Sequence, residues 1–131
     1  MKWLMLSLAA CLTALLLACR QSNMAYQSLS VDEFENLITT DPNAQRLDVR
    51  TVAEYSEGHI AGSLNVNVLD EASFLEVAED VLQKDKPVAL YCRSGKRSKK
   101  AAEILSKQGY KVYELDKGFQ AWKAASKKIE K

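Results

Sequence analysis

A short stretch in the C-terminal half carries the residues best suited to chemistry. Val88–Tyr91 is an apolar run after Pro87, too short for a helix and typical of a strand buried in a parallel sheet. Cys92 follows this run directly, and a helical pattern begins soon afterwards and stops at Gly109. The sequence therefore predicts a cysteine between the end of a strand and the start of a helix, where open α/β sheets bind ligands.

The loop after Cys92 is suited to holding negative charge. Three cations, Arg93, Lys96 and Arg97, lie within five residues of the cysteine. The free backbone N–H groups of such a loop and of the first helical turn also favour anions. Both effects favour thiolate over thiol, and the thiolate is the nucleophile. The alternative is a structural core cysteine followed by a basic, solvated helix start.

The overall composition limits the classes of protein to consider. A chain of 131 residues is long enough for one domain and not for two. Its 18 Lys and Arg residues nearly balance its 17 Asp and Glu residues, so the total charge gives no support for a nucleic-acid partner. A single histidine and one cysteine within the domain cannot build a zinc site, and we expect neither a metal nor another cofactor.

The first eighteen residues differ from the rest of the chain. Lys2 supplies a positive start and residues 3–18 are almost wholly apolar, which is the pattern of a secretory signal peptide. The segment ends Leu16-Leu17-Ala18-Cys19, which resembles the lipobox of bacterial lipoproteins, where a peptidase cuts before a lipid-modified cysteine. We therefore expect a signal peptide over 1–18 and lipid on Cys19. A cleaved soluble periplasmic protein and an uncleaved membrane anchor are the alternatives.

A lipidated Cys19 would place the protein outside the cytoplasm of a bacterium, anchored at a periplasmic membrane face. An Asp directly after the lipid-modified cysteine tends to retain a lipoprotein in the inner membrane. This chain has Arg20 at that position, which favours the outer membrane in a Gram-negative host. Cys11 would leave with the signal peptide, so Cys92 would be the only free thiol and no disulfide could form. Residues 19–28 are expected to be a lipidated tether.

Strands and helices alternate along residues 29–128, which form the expected domain. Ser30-x-x-Glu33 and Thr51-x-x-Glu54 are capping boxes that predict two helix starts. The other predicted elements are strands at 46–50, 63–68, 88–91 and 111–115, an amphipathic helix at 74–82, a helix that ends at 109, and a last helix at 118–128 with Phe119 and Trp122 facing the core. This alternation predicts an α/β fold with a mainly parallel sheet.

Three motifs, in this order, resemble the signatures of the rhodanese family. They are LDVRTVAEYSEGHIAGSLNV at 47–66, the active-site loop CRSGKRS at 92–98, and GFQAW at 118–122. The resemblance covers roughly residues 29–128 and implies a small parallel sheet, usually of five strands, with helices on both faces. Lys96 departs from the pattern because the loop often has a neutral residue there, and Val66-Asn67 lacks a proline that often follows the strand.

The resemblance implies a thiosulfate sulfurtransferase. The family moves a sulfane sulfur from a small anionic donor such as thiosulfate to a thiol or to cyanide, and Cys92 would carry the sulfur as a persulfide. The expected donor-binding residues are Arg93, Ser94, Gly95, Lys96, Arg97 and Ser98. For Ser98, capping of the following helix is favoured over direct binding of the donor. No nucleic acid is expected as a partner, and we expect a monomer.

Other polar residues near the motif are expected to support the loop. Asp48 and Arg50 flank a strand end, and a structural ion pair or loop brace is favoured over direct contact with the substrate. His59 is expected to be structural, because a well-stabilised thiolate needs no base. Glu54 is interpreted as the capping-box partner of Thr51.

Two other functions are compatible with a cysteine loop. Phosphatases and arsenate reductases of the related type place arginine six positions after the cysteine, whereas Arg97 is five positions after Cys92, and Tyr91 stands where they have histidine. The loop length therefore favours sulfur. A non-catalytic module that carries a persulfide to a protein partner stays open as an alternative.

Overall fold

The computed structural model describes residues 25–131. The predicted signal peptide, Cys11, Cys19 and the tether up to residue 24 therefore lie outside the described residues. Within residues 25–131, no helix has the length and apolar character needed to cross a membrane.

Strands and helices alternate through the described part of the chain, as the sequence predicts. In chain order the elements are β1 (Gln27–Leu29), α1 (Val31–Thr40), β2 (Gln45–Asp48), α2 (Val52–Glu57), β3 (His59–Ile60), β4 (Leu64–Asn65), α3 (Phe74–Val81), β5 (Val88–Tyr91), α4 (Lys96–Lys107), β6 (Val112–Leu115), α5 (Gly118–Ala124) and β7 (Ile129–Glu130). Five strands form one parallel sheet in the order β1-β6-β5-β2-β4, and β3 pairs with β7 in an antiparallel ribbon. The predicted α/β fold with a five-stranded parallel sheet is confirmed.

The central strand β5 separates two hydrophobic cores. Val88 and Leu90 face a core shared with α3 and α4, whereas Ala89 and Tyr91 face a core shared with α1 and α5. All four side chains are fully buried, as expected for a strand covered by helices on both faces. The strand is thereby held rigidly, and its C-terminal end delivers Cys92 to the edge of the sheet.

Both predicted capping boxes are present. The Ser30 hydroxyl accepts from the N–H of Glu33 at 3.2 Å, and the Glu33 carboxylate accepts from the N–H of Ser30 at 2.9 Å. Thr51 and Glu54 make the same reciprocal bonds at 3.2 Å each. The second box starts α2 and fixes Glu54 at the carboxyl edge of the sheet.

Two predicted secondary-structure boundaries are corrected, one near each end of the described chain. Gln27 and Ser28, assigned to the tether, form most of β1, which pairs in parallel with β6. The helix predicted at 118–128 ends at Ala124, and the chain then turns through Ser126, with φ of 58°, into β7. Both short strands arise from pairing with distant segments, which polar local sequence does not reveal.

Two interior predictions are also corrected. The strand predicted at 63–68 forms only the two residues of β4, Leu64–Asn65. Beyond them, the N–H groups of Val66 and Val68 still donate to the carbonyls of Asp48 and Val49. In α3, Phe74 and Ala78 are buried, whereas Val77 and Val81 of the predicted apolar face are 42% and 44% exposed.

Candidate active site

The loop that follows β5 places Cys92 where the sequence predicts it. Cys92 comes directly after the strand, and α4 begins at Lys96 with Gly95 as its N-cap. The side chain of Cys92 is fully buried, and the N–H of Gly95 donates to its Sγ at 3.1 Å. The loop therefore forms a small cradle in which a backbone dipole points at the sulfur.

Two glycines are required for the shape of this loop, Gly95 within the loop and Gly118 at the start of α5. Gly95 has φ of 101°, and a Cβ there would lie 1.9 Å from the carbonyl oxygen of Asp116. Gly118 has φ of 69°, and a Cβ there would lie 2.3 Å from the carbonyl oxygen of Arg93. The cysteine loop and the turn between β6 and α5 are thus packed backbone against backbone.

Hydrogen bonds across this contact explain the third sequence motif. The N–H of Phe119 donates to the carbonyl of Cys92 at 2.8 Å, and the N–H of Gln120 donates to the carbonyl of Arg93 at 3.0 Å. The first turn of α5 therefore holds the first two residues of the cysteine loop, while Phe119 and Trp122 are buried as predicted.

The loop cations differ in their surroundings. Arg97 makes a bidentate ion pair with Glu54, with N–O distances of 2.7 and 2.9 Å. Hydrogen bonding from Arg97 lowers the pKa of Glu54 to about 2, against the effect of partial burial. Arg93 and Lys96 instead project from exposed positions of the loop. The sequence pattern indicates only the capping-box role of Glu54 and not its pairing with Arg97.

Ser98 lies inside α4 and is fully buried. Its hydroxyl contacts the Glu114 carboxylate at 2.7 Å and the Gly95 carbonyl at 3.0 Å. The expectation that Ser98 caps the helix is wrong, because the helix begins two residues earlier and Gly95 is its N-cap. The expected role in binding the donor requires a hydroxyl that faces solvent, whereas the Ser98 hydroxyl points towards β6.

Asp48 and Arg50 form the predicted brace. The Arg50 guanidinium donates to both carboxylate oxygens of Asp48 at 2.7 to 3.1 Å, and it also donates to the carbonyl of Gly58 at 2.7 Å. Burial by itself would lower the pKa of Arg50, but the bonds to Asp48 outweigh burial and raise it. The guanidinium lies 4.3 Å from the ring centroid of Phe119, so this brace packs directly against the start of α5.

His59 is held in a structural position. Its ring stacks on Tyr55 at a centroid distance of 3.7 Å, and its Nδ1 lies 2.9 Å from the carbonyl oxygen of Tyr55. Its Nε2 lies 3.3 Å from a carboxylate oxygen of Glu130 in β7. These contacts tie the C-terminal ribbon to α2, and the interpretation of His59 as structural agrees with them.

A cavity of about 330 Å³ adjoins the cysteine loop at Arg93. Its walls combine cations and carboxylates around one aromatic ring, and the lining residues are Arg50, Glu54, Glu57, Gly58, Arg93, Phe119, Gln120, Lys123 and Ile129. The guanidinium of Arg50 and the ammonium of Lys123 both lie close to the Phe119 ring, 4.3 and 5.3 Å from its centroid. The mixture of charges suits a small polar ligand, and the sequence analysis did not identify this cavity.

The part of the chain that the structure describes contains no candidate metal-binding site. Within residues 25–131, no three His, Cys, Asp or Glu side chains are grouped so that they could hold a metal ion. The loop itself offers Cys92, the cations and the backbone N–H groups.

Comparisons with known proteins agree on one family. The family described as rhodanese-like domain matches residues 30–125. The thiosulfate sulfurtransferase GlpE of Shewanella oneidensis is 34% identical over 103 residues, which cover 78% of this chain and 97% of that protein. The protein of the same name from Coxiella burnetii is 41% identical over 78 residues, 59% of this chain and 69% of that protein. A solved structure of a rhodanese-related protein from Thermoplasma volcanium covers 80% of this chain and 98% of its own, with a TM-score of 0.69 and 28% identity.

Proposed function

The chain belongs to the rhodanese-like family, and we propose that it is a sulfurtransferase that works through a persulfide on Cys92. The proposed donor is thiosulfate or a similar small anion, and the proposed acceptor is a thiol, or cyanide in an assay. Similarity to proteins named thiosulfate sulfurtransferase supports the class of reaction. The observation that carries the proposal is the position of Cys92, with the Gly95 N–H aimed at its sulfur at 3.1 Å.

The reaction divides into two displacements at sulfur. The Cys92 thiolate attacks the outer sulfur of thiosulfate, the S–S bond breaks, and sulfite leaves with the bonding electrons. Cys92 then carries a persulfide whose terminal sulfur is anionic, and loop N–H groups stabilise that charge. In the second step a thiolate or cyanide attacks the terminal sulfur, and the Cys92 thiolate is released. A thiol acceptor loses its proton to solvent before it attacks.

The loop cations have different proposed roles in binding the donor. Arg93 and Lys96 are exposed, so they attract an anionic donor to the mouth of the loop. Glu54 neutralises much of the charge of Arg97 and occupies two of its five N–H donors. Arg97 is therefore proposed to orient the donor with its other N–H groups, and it contributes less net charge than the sequence suggests.

The cavity beside Arg93 is the proposed place for the acceptor. Its volume of about 330 Å³ accommodates a small thiol, and its walls offer both cations and carboxylates. Because Cys92 is fully buried, small acceptors are favoured over direct contact with a folded protein. This argues against the alternative of a passive persulfide carrier, which must present its sulfur to a partner.

Turnover of thiosulfate tests the proposed function. The protein is incubated with thiosulfate and cyanide, and thiocyanate is followed with time. We expect turnover by the wild type and none by Cys92→Ala, while Lys100→Met, an exposed neighbour on α4, keeps full activity. A binding module without catalysis would release at most one thiocyanate per chain. Equal turnover by the Cys92→Ala variant would refute the assignment.

We also propose that the protein is exported and anchored by lipid on Cys19 at the periplasmic face of a bacterial membrane, the outer membrane in a Gram-negative host. The apolar segment and its Leu16-Leu17-Ala18-Cys19 ending support this. Since Tyr26 packs against the core and β1 starts at Gln27, the tether shortens to residues 20–25. Six extended residues reach roughly 20 Å, so sulfur transfer would occur close to the membrane surface.

A further inference from the structure

A buried carboxylate lies beneath the cysteine loop without touching the reacting sulfur. Glu114 projects from β6 to the same side as Val112, because side chains two apart on a strand share a face. It is fully buried, and its oxygens contact the Ser28 hydroxyl, the Ser98 hydroxyl at 2.7 Å and the Lys99 ammonium at 3.1 Å. A carboxylate buried in this way is costly unless donors satisfy it, and here three groups do so.

Two of these partners also hold the cysteine loop. Ser98 and Lys99 both contact the carbonyl oxygen of Gly95, at 3.0 and 3.4 Å. Lys99 additionally contacts the carbonyl oxygen of Asp116 at 3.3 Å and its carboxylate at 2.8 Å. The Lys99 ammonium shares its three N–H donors among Glu114, Asp116 and the Gly95 carbonyl, whereas the single hydrogen of the Ser98 hydroxyl is shared between Glu114 and that carbonyl. Glu114 therefore anchors the two side chains that lie against the Gly95 carbonyl, and the Gly95 Cα is packed against Asp116. The N–H of the same residue is the group that donates to Cys92 Sγ.

We propose that Glu114 is a positioning residue for Cys92, which acts through Ser98 and Lys99 to keep the Gly95 N–H aimed at the sulfur. The inference rests on the proposed function only in taking Cys92 as the nucleophile. Glu114 itself touches neither the donor nor the sulfur. Its contribution is to reduce the freedom of the loop, so that the thiolate and the persulfide anion find their hydrogen-bond donor already in place.

One substitution, Glu114→Gln, distinguishes positioning from a simple charge effect by the direction in which it changes the proportion of Cys92 thiolate. Glu114→Gln keeps the volume of the side chain and removes a negative charge close to the loop. If Glu114 acted only through its charge, the substitution would favour the Cys92 thiolate, since a nearby anion disfavours a second one. If Glu114 positions Gly95, the loosened hydrogen bond disfavours the thiolate instead. The two explanations therefore predict opposite changes.

The thiolate is measured directly by its ultraviolet absorbance as a function of pH, in the full chain. The Cys92→Ala titration is subtracted from each curve, which removes the absorbance of Cys11, Cys19 and the tyrosines. We expect Glu114→Gln to raise the pH midpoint of the Cys92 signal by on the order of one unit, a tenfold smaller thiolate-to-thiol ratio. In thiocyanate formation, kcat should fall by a similar factor while the KM for thiosulfate stays unchanged.

Two further variants complete the design. Ser98→Ala removes the hydroxyl between Glu114 and Gly95 without changing any charge, and it should raise the midpoint in the same direction. Lys100→Met removes a cation from the exposed side of the same helix, where it pairs with Glu71, and should leave the midpoint unchanged.

The outcomes decide the inference without reference to turnover. A midpoint that falls or stays unchanged in Glu114→Gln, with the fold retained by thermal unfolding, overturns it. If Glu114→Gln does not fold, an unchanged midpoint in Ser98→Ala overturns it. Because the titration needs no sulfur donor, a wild type that forms no thiocyanate would refute the proposed function and leave the result on Glu114 intact.

Discussion

The ion pair between Arg97 and Glu54 links the cysteine loop to α2. Its contribution to the free energy of unfolding can be measured as a function of pH. Glu54→Gln removes the charge but preserves the capping box, because glutamine also serves at the third helical position. The pKa of Glu54 falls from 4.5 to about 2, mainly through hydrogen bonding to Arg97. Without solvent screening, this lowering of the pKa corresponds to about 3 kcal/mol. The side chains are 22% and 26% exposed, and solvent screening reduces the expected contribution to about 1–2 kcal/mol.

The direction of the pH dependence follows from the lowered pKa. A carboxyl whose pKa is lower in the folded state stabilises the fold at pH values above its pKa in the unfolded state, here near 4.5. That stability is lost as the pH falls through the folded value of about 2. We therefore expect the wild type to be more stable than Glu54→Gln by about 1–2 kcal/mol at neutral pH. The difference should shrink steadily between the two pKa values.

Urea unfolding at a series of pH values, followed by circular dichroism, measures this difference. Glu57→Gln is the matched control, because Glu57 lies on the same helix and lines the same cavity but makes no contact with Arg97. Its stability should differ little from the wild type at any pH. Equal free energies of unfolding for Glu54→Gln and wild type at neutral pH, or a difference that is just as large at the acid end, would contradict this prediction.

Three further predictions concern the loop and the N-terminus. Lys96→Met should raise the KM for thiosulfate and weaken its salt dependence, with little effect on a neutral donor; an unchanged salt dependence would contradict electrostatic attraction. Gly95→Ala should abolish turnover and destabilise the fold by about 1–3 kcal/mol. Gly109→Ala, at φ of 94° and with a Cβ only at van der Waals distance from the Lys84 side chain, should lose stability and keep activity; an active Gly95→Ala would refute the described cradle. Wild type should fractionate with membranes and take up a fatty-acid label that Cys19→Ser lacks, and unlabelled soluble wild type would exclude the anchor.

The features that the sequence predicts well are those encoded locally. β5 is a continuous apolar run, and Gly95 and Gly109 occupy backbone conformations that few other residues adopt. The capping boxes at Ser30 and Thr51 need only residues three apart. The order of these signals was sufficient to predict the alternating fold and to place Cys92 at the edge of the sheet.

The missed features depend on contacts between distant residues. Arg97 meets Glu54 across 43 residues, and Ser98 meets Glu114 across 16 residues, so no local pattern shows either pair. β1 is likewise a polar segment that becomes a strand only by pairing with β6. One sequence signal does identify Glu114: it occupies an inward-facing position two residues after Val112 in a predicted strand, where a charged residue requires partners.

The most direct test of the central claim is the mass of Cys92 itself. The protein is treated with thiosulfate, freed of excess reagent and analysed by intact and peptide mass spectrometry without reducing agents. We expect a gain of one sulfur atom per chain, located on the peptide that contains Cys92. Cyanide should then remove it with release of one equivalent of thiocyanate. A protein that turns over thiosulfate while Cys92 never carries the extra sulfur, or carries it on another residue, would contradict the account.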